Sequence, residues 1–224
     1  MKILSVNTGG PQKFMWEGKE ITTSIFKSPA EGKFETTFLN INGDIQSDLK
    51  NHGGLDKAVY SYDHSYYETW KKEMDRESWE YGLFGENLTT SGLTDDSVLI
   101  GNVYQIGSVK LRAVQPRFPC FKLNIRFGED HILNRFYDLG FFGTYFRVVE
   151  EGYLNTGDEI ILIHKSDINL SIADIVFCKK SKGEDQYKLN LILENQYIPD
   201  SLKDSLRIYL KLSVSNKNNE ALRF

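Results

Sequence analysis

Short apolar runs broken by glycine, proline and asparagine dominate the first 160 positions. Residues 3–6 read as a strand that Gly9, Gly10 and Pro11 end. Residues 14–23 suit a hairpin around Glu17 and Gly18, residues 33–39 alternate polar with bulky side chains, and Asn42, Gly43 and Asp44 mark a turn. Residues 58–62 (AVYSY) form a buried-strand pattern. The period then changes. Tyr66, Tyr67 and Trp70 are spaced for one face of a helix over 63–74, with Asp63 as its N-cap.

Strands resume after Gly82. Residues 98–100, 103–106 and 109–114, separated by Gly101-Asn102 and Gly107-Ser108, predict a meander. Helices follow over 120–127, with Pro119 as first helical residue, and over 130–139. Strands over 146–150 and 159–164 close this region. From residue 166 glycine nearly vanishes, and helical segments appear at 171–179, 184–194 and 201–212, the first with an N-capping pair in Ser171 and Asp174. The expected fold is therefore mainly β with peripheral helices. A β-barrel-like domain over 1–165 precedes a small all-α domain of three helices over 166–224.

With 224 residues, 40% hydrophobic and 13% aromatic, the chain can bury a core without disulfides, and its aromatics favour strands. A formal net charge of -4 argues against a duplex nucleic-acid partner. The two cysteines, Cys120 and Cys178, share no close spacing, which excludes a disulfide framework and a C-x-x-C site. The amino terminus lacks a signal-peptide pattern and no stretch suits a bilayer, so a cytoplasmic protein without membrane partners is expected. G-x-G-x-x-G, P-loop and G-x-S-x-G motifs are all missing, as are histidines at i, i+4 spacing.

Three segments carry unusual chemistry. In the first, Gly53 and Gly54 stand among His52, Asp56 and Lys57. Two adjacent glycines let backbone approach an anion closely, or merely make a tight turn. The second holds Glu86 and Asn87, either a polar loop entering a strand or a pair facing a heterocycle. The third, Gln115-Pro116-Arg117-Phe118-Pro119-Cys120-Phe121-Lys122, stiffens the approach to a cysteine at an expected helix start, between two cations. Both features favour a thiolate, the form that ligates soft metals or attacks electrophiles, against the alternative of a small buried hydrophobe. Cys178 lies on an apolar helix face and reads as core. His64, His131 and His164 fall at element ends.

The succession His52-Gly53-Gly54, Asp56 to Tyr60, Phe84 to Leu88, then Gln115-Pro116-Arg117 with Pro119-Cys120 and Lys122, resembles the MOSC domain of molybdenum-cofactor sulfurases, in its YiiM-like branch. The resemblance covers essentially the whole chain. It implies a barrel that binds molybdenum cofactor (molybdopterin), with Cys120 as the metal's protein ligand. It also implies reduction of N-hydroxylated compounds of the 6-hydroxylaminopurine type, as detoxification. On that reading Arg117, Lys122 or Lys57 would neutralise the pterin phosphate. Asn87, Gln115 and the backbone of Gly53 and Gly54 would bond the pterin, and His52 or Asp56 would relay protons. With no flavin or iron–sulfur motif in the chain, electrons must come from a separate redox partner protein. The helical tail would dock that partner, pack against a second subunit in a homodimer, or cap the barrel. A cofactor or sulfur carrier without turnover, and a cysteine hydrolase using Cys120 with His52, are the competing readings.

Overall fold

The computed structural model describes residues 1–221, with side-chain detail outside 50–51 and 211–221. The chain opens with β1 (Lys2–Thr8) and the hairpin β2 (Gln12–Trp16) and β3 (Lys19–Thr23). Glu17 and Gly18 both take positive φ, 49° and 75°, as a tight two-residue hairpin turn requires. β4 (Ser28–Ala30), β5 (Lys33–Thr36) and the short α1 (Leu49–His52) follow. Next come β6 (Val59–Asp63) and α2 (His64–Glu73), capped by Asp63 through a bond donated by Ser65 N. β7 (Leu88–Ser91), β8 (Val103–Ile106), β9 (Val109–Pro116), α3 (Lys122–Phe127) and α4 (Ile132–Leu139) lead to β10 (Thr144–Glu150), β11 (Gly152–Asn155) and β12 (Ile160–His164). α5 (Ile172–Lys180), α6 (Gln186–Glu194) and α7 (Asp200–Ala221) complete it.

Eight strands form one mixed sheet in the order β12-β8-β9-β10-β6-β7-β1-β4. All neighbours are antiparallel except β6 and β7, which run parallel because α2 carries the chain back between them. The expected closed barrel is not formed, since this order has two ends. β4 is a natural end, being three residues long with Pro29 at its centre, which cannot donate to a further strand. The gap is bridged only locally: Ile160 N donates to Met1 O and Ile3 N to Asp158 O.

Two further expectations need correction. Residues 98–100 do not form a strand of the sheet: Leu99 makes an isolated β-bridge to Ser171, with Ile100 N donating to Leu170 O and Ile172 N to Val98 O, tying this segment to the approach of α5. The helix after Pro119 starts at Lys122, not at Cys120. Pro119 disfavours helical backbone in Phe118 before it, and a single turn, in which Cys120 O accepts from Leu123 N, leads into α3.

One apolar core spans the sheet and the three C-terminal helices, with Val109, Leu111 and Phe146 in the same cluster as Ile175, Leu189 and Leu206. A second, aromatic core joins Tyr62, Trp70, Phe84, Phe136 and Phe142 beneath α2 and α4. Trp70 Nε1 donates to Tyr62 OH at 2.9 Å, so the indole is buried with its polar handle satisfied. Among the described residues no helix is long and apolar enough to cross a membrane.

Candidate functional site

Where β9 ends, its last residues and the loop to α3 turn past β6 and β10. A cleft with about 560 Å3 of free space opens there. Its walls bring together His52, Lys57, Asn87, Arg117, Cys120 and Lys122, six of the ten residues singled out from the sequence. Cys120 is half-buried in the loop, and its carbonyl accepts from Leu123 N at 3.0 Å. It therefore lies in the turn that leads into α3, just before the helix start, and a six-residue helix begun by Lys122 gives its thiol no dipole argument.

Arg117 is the most constrained of the cations. Only 4% of it is exposed, its Cζ lies 5.5 Å from the centre of the Tyr60 ring, and Nη1 has no hydrogen-bond partner among the described residues. Burial opposes its charge, yet Tyr60, Cys120 and Tyr145 outweigh that and push its pKa up. A charged guanidinium held in this way, with a buried donor unsatisfied, suits an anionic ligand. Lys122 Nζ meets Asp48 Oδ2 at 2.7 Å. Burial pulls the Lys57 pKa down, against the neighbouring Asp48 and Asp56.

Lys27 and Asp44, which the sequence reading did not single out, are the deepest charged pair, Nζ to Oδ2 at 2.5 Å with 9% and 1% of their side chains exposed. Asp44 also accepts from Gly9 N at 3.0 Å and from Asn87 Nδ2 at 2.9 Å. Asn87 Oδ1 accepts from Tyr60 N at 3.1 Å, so its amide already joins the 44 loop to β6. Lining side chains thus include four cations, Lys27, Lys57, Arg117 and Lys122, against two carboxylates, Asp44 and Asp48. The cleft is electropositive in a chain whose net charge is negative. His52 feels this directly: burial first, then Arg117 and Lys122, lower its pKa to about 4. It is neutral at pH 7.

The other four sequence candidates lie beside the cleft rather than in its wall. Gly53 packs on α1, where a Cβ would come within 2.8 Å of Leu49 Cα. Gly54 has φ 89° and supplies the turn before the single 3-10 turn of residues 55–57. Asp56 points away to Arg147, 2.5 Å from its Nη2. Gln115 Nε2 donates to Asp56 O at 3.1 Å and fixes that turn from below. Lys27, Asp44, Asp48 and Tyr145 were missed because each reads singly as a solvated or core residue. The only signals were Asn42-Gly43-Asp44, a turn that buries its aspartate, and the 21–27 segment ending in Lys27.

Among the described residues no group of three His, Cys, Asp or Glu could hold a metal ion. A metal here would have one protein ligand, Cys120, and would need the others from a bound organic group. Cys120 and the orphaned Arg117 fit an anionic, metal-bearing cofactor of that kind.

Comparison with known proteins identifies the family. The MOSC domain model matches residues 48–161, which carry every cleft residue from Asp48 to Tyr145. Over 170 residues the chain is 39% identical to the uncharacterized protein YflK of Bacillus subtilis (strain 168), covering 76% of each chain. It is 32% identical over 199 residues to a protein named "Reductase" from Gibberella moniliformis, of which it spans 35%. The crystal structure of YiiM from Geobacillus stearothermophilus superposes with a TM-score of 0.79 at 27% identity, covering 93% of this chain and 98% of that one. The chain is a member of the MOSC domain family, in its YiiM-like branch.

Proposed function

We propose that this chain binds a molybdenum cofactor in the cleft through Cys120 and reduces N-hydroxylated compounds of the 6-hydroxylaminopurine type. Its electrons would come from a separate redox partner. The observation that carries the reading is Arg117, a buried guanidinium with an unbonded nitrogen in the same cleft as a half-buried cysteine. The reductase name of one relative, with the family's link to molybdenum cofactor, supports the reaction class.

When bound, the cofactor would supply the two-electron chemistry that splits an N–O bond into amine and water. The chain's own part is holding and charge balance. Cys120 Sγ would ligate the metal. Arg117 would present its planar fork to an anionic oxygen, while Lys27, Lys57 and Lys122 offset the remaining negative charge. The Asn87 amide borders the same space, while Gly53 and Gly54 shape the turn beside it. His52, a neutral imidazole at pH 7, can take up a proton. Burial chiefly holds it neutral, and an anion beside Arg117 and Lys122 would offset only the smaller contribution of those cations.

The test is molybdenum content of wild type and Cys120→Ala, both purified from molybdate-supplemented cells able to make the cofactor. Near-stoichiometric metal in wild type, lost in the folded variant, is expected, together with hydroxylaminopurine reduction by wild type once an electron donor is supplied. Metal-free wild type beside a loaded control protein would sink the reading. Bound metal without turnover on any hydroxylamine would instead make the chain a cofactor carrier.

A further inference from the structure

A second cavity, with about 740 Å3 of free space, opens between β9, β10 and the segment that leads into α7. Arg112 and Arg147 stand directly opposite each other in the register of these two strands and so face the same side of the sheet. Like charges in that position repel unless each has a partner of its own. Arg147 is neutralised by Asp56, with its Nε at 2.7 Å and its Nη2 at 2.5 Å from Oδ1. Arg112 has no such partner among the described residues. Its guanidinium lies 4.8 Å from the centre of the Tyr197 ring, and its Nε is shielded from solvent with no hydrogen bond.

A third cation completes the wall. Lys203 is only 9% exposed, yet its nearest carboxylate, Asp200, is 3.9 Å away on a side chain 90% exposed. Three cations therefore line this cavity against one tight carboxylate and one loose one. A partly buried guanidinium with an unbonded, shielded Nε beside a buried, loosely paired ammonium suits an anionic ligand.

We propose that this cavity is a phosphate-monoester site, separate from the cofactor cleft. Arg112 is held flat by Tyr197 and can meet two phosphoryl oxygens with its fork, while Lys203 supplies a point charge from the first turn of α7. The first N–H groups of that 22-residue helix reinforce a negative ligand. The rings of Tyr197 and Pro199 give the organic part of an ester an apolar wall. The site also touches the cleft: Asp56, which shares Arg147 with any anion bound here, precedes Lys57 in one 3-10 turn.

Isothermal titration of the full chain with inorganic phosphate, with adenosine monophosphate and with adenosine, at constant ionic strength, tests the proposal. Saturable binding of the phosphate-bearing ligands and none of adenosine is expected. Arg112→Gln and Lys203→Gln should each weaken that binding by about tenfold or more, the size of a lost charge-assisted hydrogen bond. If Arg112→Gln fails to fold, Arg112→Lys keeps the charge without the fork and should bind measurably but more weakly. Tighter binding of the nucleotide assigns the site to an ester, and equal binding to free phosphate. No saturable binding, or binding that survives both glutamine variants and disappears in Arg117→Gln, overturns the proposal.

Discussion

His52 shows how strongly one residue's charge state depends on its neighbours. Its folded pKa of about 4 lies below the ordinary 6.5, chiefly through burial. Between these values the unfolded chain holds a proton that the folded chain lacks, so stability from this group rises with pH across that window. Acidification from pH 7 toward 4 should remove up to about 3 kcal/mol through His52 alone. Asp95 runs the other way: burial raises its pKa to about 6, so between its ordinary value and 6 it favours the folded chain as pH falls. The clean measurement is therefore a difference. Urea unfolding near about pH 7 and about pH 5 should show wild type losing more stability than His52→Gln, whose imidazole is gone. Equal losses would mean that His52 is not the group responsible. His52, Arg117, Cys120 and Lys122 were legible in the sequence because glycine pairs and prolines around them signal unusual backbone. Lys27 and Asp44 were not legible, because a buried ion pair has the local spelling of a surface turn until the fold brings positions 27 and 44 together.

Elements were legible where local chemistry decides them. Ser171 and Asp174 form the reciprocal cap of α5, with Asp174 N donating to Ser171 Oγ at 3.1 Å and Ser171 N to Asp174 Oδ2 at 2.9 Å. Ser171→Ala should cost about 1 kcal/mol and lower the melting temperature by about 2–4 °C in a scanning calorimeter. An unchanged midpoint would show that α5 is held by packing alone. The hairpin turn at Glu17-Gly18 and the Asp63 cap were equally readable. Elements decided by distant partners were not. Residues 98–100 are as apolar as any strand here, yet their donors and acceptors go to residues 170 and 172. β4 contains a proline, and β11 exists because Leu154 finds Phe34 in register across the chain. The start of α3 was misplaced because a proline suits a first helical turn as readily as the loop that delays one.

At the scale of the whole molecule, composition and aromatic content indicated a sheet-rich protein, while sheet order and closure depended on pairings that periodicity does not contain. The continuous core has its own consequence. Ile172, Ile175, Leu189, Ile192 and Leu206 are fully buried in the cluster that holds Val109 and Leu111. Each large apolar side chain stripped of cover forfeits about 1.5–3 kcal/mol. A chain cut after Lys165 should therefore bind a hydrophobic dye strongly and be cleaved rapidly by chymotrypsin, whereas the full chain should unfold in one cooperative transition. A truncated chain as protease-resistant as the whole would show that the sheet region stands without its helices.

The local bridge between β1 and the approach to β12 bears on how the molecule is made. Val6 N donates to Thr156 Oγ1 across 150 positions, and β1 finds its ladder partner β7 only some eighty residues later. During synthesis β1 can meet β4 early, but it leaves the ribosome long before β7 or Thr156 exists. Its apolar face must then wait, exposed, for most of the translation time, and so many distant pairings point to slow folding. A nascent chain stalled before residue 156 emerges should stay bound to a holding chaperone, and release should coincide with the arrival of the segment that meets β1.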